Sequence, residues 1–191
     1  MVSLPTRPHV LGIDDGPFEK YRPDARAPIV AVMMEGSDLV EAIAVTDFPV
    51  DGEDVTAFLA SWIRARRFAP ALHGVLFGGI TLAGLAVLDA NALARELATP
   101  VVVVNRKGRS DAPLRGALAV AGFADRAALL ESSPPSFVVP GGLHASIAGG
   151  TPELAAALIA RTRAKSDLPE PLRLAHLFAH ALVRGESRGR P

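Results

Sequence analysis

Cysteine is absent from the 191 residues of this chain, which excludes disulfides, thiolate metal sites and cysteine nucleophiles. Aromatics are scarce, with one Trp, one Tyr and eight Phe, so a surface that stacks successive bases has little material. Neither sign of charge is in excess, since 20 basic residues balance 20 acidic ones. No global field therefore steers the chain toward nucleic acid or anionic lipid, and local basic clusters must carry any phosphate binding. No stretch reaches the ~18 apolar residues of a membrane helix. Pro5, Pro8 and Asp14–Asp15 interrupt the apolar run of a signal peptide. A cytoplasmic protein with no membrane role is the expectation. Walker-type glycines and a Gly-x-Ser-x-Gly turn are also missing, which removes support for nucleotide triphosphate hydrolysis and acyl transfer.

What remains is a chain that is 49% hydrophobic, enough for one well-filled core. With no repeat, linker or low-complexity tract, residues 1–191 read as a single domain, a monomer by default, with a basic tail over 184–191. The run Val10-Leu11-Gly12-Ile13 reads as a buried strand that ends in Asp14-Asp15-Gly16-Pro17. Residues 28–34 and 38–48 read as strands joined by a Glu35-Gly36-Ser37 turn, hence an antiparallel hairpin. Helical spacing follows Asp54, a candidate N-cap, through Val55, Phe58, Leu59, Trp62 and Ile63. Strands over 72–77 and 100–104, helices from Asp89 and over 111–120, and a last short strand over 136–139 come next. Two amphipathic helices, 152–163 and 171–183, close the chain.

A leading antiparallel unit followed by alternating helices and strands is the ribonuclease H-like arrangement, an α/β mixed sheet covered on both faces. A flavodoxin-like or Rossmann sheet competes with it, but the first strand lacks the phosphate-cradling glycine spacing.

Several residues carry candidate chemistry. A carboxylate at the tip of a core strand suits a hard divalent cation, which makes Asp14 a candidate ligand, although Asp-Gly is also ordinary turn chemistry. Asp54 is the best acid near the first helix, and equally a helix cap. His176 lies at the edge of an apolar helix face, as a catalytic group or a satisfied core histidine. His180 is one turn further on, an i, i+4 pair without the glutamate of a zincin motif. Basic residues cluster at Arg64, Arg66 and Arg67, at Arg106, Lys107 and Arg109, and at Arg161, Arg163 and Lys165. They read as helix ends, solvated faces or contacts to a nucleic-acid backbone, the middle cluster being the backbone candidate.

Four blocks carry a resemblance: Val10 through Phe18; Gly79-Ile80-Thr81-Leu82-Ala83-Gly84; Val101 through Lys107; and Leu168 through His176, with a Gly/Arg tail after Arg184. With them the chain resembles the endonuclease V-like family of largely archaeal proteins described as endonuclease dU, and more distantly endonuclease V. The resemblance implies a ribonuclease H-like, Mg²⁺- or Mn²⁺-dependent endonuclease acting on DNA or RNA, with deaminated bases (uracil or hypoxanthine) as the implied targets. It implies Asp14 and Asp54 as metal ligands, and His176, in Pro169-Glu170-Pro171-Leu172-Arg173-Leu174-Ala175-His176, as the histidine beside the metal. Asp15, Gly78, Gly79, Thr81, Lys107 and Arg173 form a second tier of site residues.

One departure stands out. Both families place an Asp-Gly pair at the end of the fourth strand, where this chain has Gly78-Gly79. Loss of that carboxylate makes a catalytically weakened nucleic-acid-binding homologue the alternative reading. Asp15, Asp89 and Glu35 are the acids that might otherwise stand in for it. The inosine-reading loop of endonuclease V is replaced by Asp47-Phe48-Pro49-Val50-Asp51-Gly52.

Overall fold

The structure, a computed structural model, describes residues 4–20, 22, 24–106 and 111–187. The expectations for Lys107 and Arg109, and for the tail past 187, lie outside the described residues.

Three strands open the chain: β1 (His9–Asp15), β2 (Arg26–Glu35) and β3 (Leu39–Pro49). Helix α1 (Val55–Arg64) leads to β4 (Gly74–Phe77) and then a small hairpin, β5 (Thr81–Leu82) with β6 (Ala86–Val87). Next come α2 (Ala90–Leu97), β7 (Val101–Asn105), α3 (Ala112–Val120) and the short α4 (Ala127–Glu131). β8 (Phe137–Val138), β9 (His144–Ala148), α5 (Pro152–Arg161) and α6 (Glu170–Arg184) complete the order. The main sheet has seven strands in the order β3-β2-β1-β4-β7-β9-β8. β1, β4 and β7 are mutually parallel where adjacent, and every other pair is antiparallel. This is the ribonuclease H-like sheet; the doubly wound alternative is set aside by its antiparallel β1–β2–β3 edge.

Two expectations are corrected. The strand over 136–139 is not the last: it shortens to β8, and the unforeseen β9 follows, pairing with β7 along five residues from Val101↔Ala148 to Asn105↔His144. The strand over 72–77 starts later, at Gly74, because Ala69–Ala71 forms a 3₁₀ turn with Pro70 in it.

Side-chain parity along the strands sorts the core into two layers. Odd residues of β1, β2, β4 and β7 (Leu11, Ile13, Ile29, Ala31, Val75, Phe77, Val101, Val103) pack against Leu59 and Ile63 of α1 and Leu93 of α2. Even residues face the other way, with Val10, Leu76, Val102 and Val104 against Leu158 and Ile159 of α5 and Leu172 of α6. Val30, Val32 and Met34 meet Ala175 and Ala179 of α6 on that same side. Strict period-two alternation thus decides which layer each strand-end side chain enters.

Glycine brings α6 down onto β1. A Cβ on Gly12 would fall inside the backbone of Pro171 and Leu172, and one on Gly16 would lie 2.5 Å from the Ala179 carbonyl oxygen. With Ala175 fully buried between them, helix and strand approach nearly backbone to backbone. Asp14 shares the parity of Gly12 and Gly16, and so faces α6.

Candidate active site

The three parallel strands deliver their C-terminal ends to one edge, where ligand sites of open α/β sheets usually form. β1 carries Asp14 and Asp15. β4 runs parallel to it in the register Ile13↔Phe77, so Gly78, one residue on, is the lateral neighbour of Asp14 on the α6 face. The third strand, β7, ends at Asn105, and Arg106 follows.

His176 reaches this edge from the second turn of α6. Its Nδ1 lies 2.7 Å from Asp14 Oδ2, a short, charge-assisted hydrogen bond. The bond raises the affinity of His176 for its proton, against partial desolvation and the nearby positive charge of Arg106. Asp14 Oδ1 accepts the Asp15 N–H at 3.0 Å, so both oxygens of the carboxylate are oriented. The His180 ring packs against His176, tilted by 44° with centroids 4.2 Å apart, and its pKa is lowered by burial and by the His176 charge.

Asp15, of opposite parity, enters the other layer. Its Oδ2 accepts the Ala83 N–H at 2.9 Å, tying the tip of the β5–β6 hairpin to β1. Asp51 does the same from another loop, accepting the Leu85 N–H at 2.7 Å. Arg126, 9% exposed, donates to the carbonyls of Leu85 and Asp51, at 2.8 Å each. Gly84, at φ +93°, makes the turn possible. These clamps were not foreseen: Asp51 read as part of a loop, and Arg126 is a surface residue type with no distinguishing pattern.

Burial, with the Asp14 charge second, pushes the Asp15 carboxyl up from its ordinary 3.8 to about 6. A carboxyl held above its unfolded value binds more protons in the native state, so stability falls as pH rises from 3.8 to about 6. Asp15→Asn keeps an acceptor for Ala83 and removes the buried charge. It is expected to stabilise the protein at pH 8 by on the order of 2 kcal/mol and to flatten that decline, as read by urea unfolding across pH in EDTA.

The other sequence candidates sit elsewhere. Asp54 is the N-cap of α1 but adopts a left-handed conformation (φ 53°) and caps no amide with its side chain. It belongs to the layer on the opposite face of the sheet, in a cleft with Glu53, Asp89, Glu96 and Asp125. No described contact brings it to Asp14. Asp89 caps α2, accepting the Ala92 N–H at 2.8 Å. Arg173 is bound bidentately by the buried Glu170, with its closest contact at 2.6 Å. Thr81 lies in β5, and the space around Gly79 is open. Glu35 pairs with Arg7 at the far end of β1.

Among the described residues, three ligand atoms converge within metal-binding distance only at His9, Glu35 and Glu41. That cluster is at the start of β1, opposite Asp14, and all three of its members are already paired: His9 with Glu41 at 3.0 Å and Glu35 with Arg7 at 3.2 Å. Neither Asp89 nor Glu35, then, supplies the carboxylate missing at Gly78. Among the described residues, no helix is long and apolar enough to cross a membrane.

The chain and its fold have counterparts among known proteins. A UPF0215 protein of Methanopyrus kandleri is 35% identical over 185 residues, spanning 93% of this chain and 92% of its own. A crystal structure of a protein of unknown function from Archaeoglobus fulgidus superimposes with a TM-score of 0.85 at 29% identity, covering 94% of this chain and 100% of that one. Endonuclease V of Ciona intestinalis, solved with a 24mer DNA containing an inosine, gives a TM-score of 0.59 at 13% identity over 94% of this chain and 87% of its own; that likeness is one of fold. The model of the family called endonuclease dU matches residues 6–183, and the chain belongs to that family.

Proposed function

We propose that the chain is an endonuclease that cuts phosphodiester bonds in DNA or RNA at the Asp14–His176 edge, with deaminated bases as the first substrates to test. The observation that carries this reading is the 2.7 Å bond between Asp14 and His176, two residues 162 positions apart that meet where three parallel strands end.

The donors at this edge fit a weakly held hard cation. Mg²⁺ commonly takes one or two carboxylates and completes its shell with water and substrate phosphate; Asp14 offers one carboxylate. Such an ion would neutralise charge on the scissile phosphate and activate water. The chain's own groups do the rest. Asp14 fixes the His176 ring through Nδ1 and favours its protonated form, in which Nε2 donates to a phosphate oxygen or to the departing hydroxyl oxygen. Arg106 adds a second positive charge on the same edge.

Gly78 favours a second reading, binding without turnover, because one carboxylate holds a divalent ion poorly. Incubation of uracil-, hypoxanthine- and unmodified oligonucleotides of DNA and RNA with the protein in Mg²⁺, in Mn²⁺ and in EDTA separates the two. Cleavage is expected only with a divalent ion. Gly78→Asp is the companion variant: a Cβ there meets only the Leu172 methyls, at an ordinary 3.8 Å, and the new carboxylate stands beside Asp14. It is expected to lower the metal concentration for half-maximal cleavage by about tenfold. No cleavage from either protein in either metal leaves the binding reading standing alone.

A further inference from the structure

A groove lies beside Arg106, the residue that follows β7 at the sheet edge where β1 ends in Asp14. It has a volume of about 590 Å³, and its lining includes Arg106, Gly141, Gly142, Lys165, Ser166 and Asp167. Gly141 and Gly142 sit at φ +96° and +83°, conformations that suit glycine. A Cβ on Gly142 would have nothing within 4 Å, so the peptide face of this turn is bare and open to close approach.

The walls are held firmly. Arg163 donates to the Pro140 carbonyl at 2.8 Å and to the Asp167 carbonyl at 2.5 Å, bridging the glycine turn to the 163–167 loop. The other terminal nitrogen of that guanidinium is buried and has no hydrogen-bond partner among the described residues, so the positive charge behind the groove is met by carbonyl oxygens in its described hydrogen bonds. The buried Glu170 accepts the Lys165 N–H at 3.1 Å, fixing the backbone that carries the lysine. Arg106 joins groove to site, because it lines the groove and follows β7 at the edge where the parallel strands β1 and β4 also end.

We infer that this groove is the track for the sugar-phosphate backbone next to the phosphate held at Asp14 and His176, with Arg106 and Lys165 as its phosphate contacts. The inference rests on the nucleic-acid reading of that edge. A bare glycine floor between two cations on fixed backbone accepts a polyanionic strand without reading its bases. Asp167 opposes it, as the carboxylate among the described lining residues.

Equilibrium binding of labelled single- and double-stranded oligonucleotides, followed by fluorescence anisotropy from 20 to 300 mM salt in EDTA, tests it. Arg106→Gln and Lys165→Gln are each expected to weaken binding roughly tenfold at low salt and to reduce the slope of log K against log salt by about one. Asp167→Asn is expected to tighten binding, the opposite sign, and Arg67→Gln, beside β3, to leave it unchanged. Unaltered melting temperatures exclude a folding effect. If both cationic variants bind like the parent, or the parent binds no oligonucleotide at 20 mM salt, the groove is not the track. If binding shifts as stated while no protein cuts, the track stands and the endonuclease reading falls.

Discussion

Gly12→Ala is expected to lower the melting temperature by roughly 10 °C and to reduce cleavage about 10²-fold, although it adds a single methyl group far from solvent. The methyl points at the Pro171–Leu172 peptide of α6, which is backbone and has no rotamer with which to escape. For ordinary contact the helix must retreat by about 1 Å. Overpacking of this kind typically costs 1–3 kcal/mol, and the absence of a flexible neighbour puts it at about 3 kcal/mol. The retreat also lengthens the 2.7 Å Asp14–His176 bond beyond hydrogen-bond range, so stability and activity fall together. Gly79→Ala is the contrast, because nothing lies within 4 Å of its Cβ, and it should melt like the parent. Thermal unfolding of the two variants, with the cleavage assay run at 25 °C, checks both halves. A Gly12→Ala protein that melts with the parent would show that α6 is not seated on β1 through this glycine.

How much of this was readable in the chain follows from how local each signal is. Strands made of continuous aliphatics, such as Val101-Val102-Val103-Val104, announce themselves, and the order of elements was enough for the ribonuclease H-like sheet. β9 did not announce itself. His144 and Ser146 interrupt its apolar positions and glycines flank it on both sides, so its extended form is imposed by pairing with β7. The β5–β6 hairpin has strands of two residues each and is held by Asp15, Asp51 and Arg126 from three other segments, none of which is near it in sequence. Asp54 stands just before α1, as its sequence pattern implies, yet with its left-handed backbone its side chain caps no amide.

Glycine was the least legible residue of all. Gly12 and Gly16 carry no mark in a string of letters yet seat a helix, whereas Gly78, which leaves the position beside Asp14 without a carboxylate, stands out only through the family resemblance. What separates them is the element that lies across each, α6 over Gly12 and Gly16, and only the Leu172 methyls near Gly78. The pairing of Asp14 with His176 was likewise visible only through the family resemblance, because no periodicity connects a strand end to a helix so distant in sequence.

Asp14→Ala is expected to abolish detectable cleavage, a loss of at least about 10²-fold, because it removes a charged group from the reacting edge and the partner of His176 at once. His176→Ala alone should fall less far, since the carboxylate survives. The two substitutions are expected to be strongly non-additive, with the double variant no slower than Asp14→Ala, because groups acting as a unit fail as a unit. A structural role for Asp14 predicts otherwise. Its loss would then lower the melting temperature while oligonucleotide binding and residual cleavage dropped in proportion to unfolded protein. The present reading expects Asp14→Ala to bind oligonucleotides through Arg106 and Lys165 as tightly as the parent in EDTA, or more tightly, since a negative charge has been removed from the phosphate's path. The Asp14→Ala protein therefore separates two questions with one substitution: whether the edge cuts, and whether the groove holds. Full cleavage by Asp14→Ala in Mg²⁺ or Mn²⁺ would remove the Asp14–His176 edge from the reaction altogether.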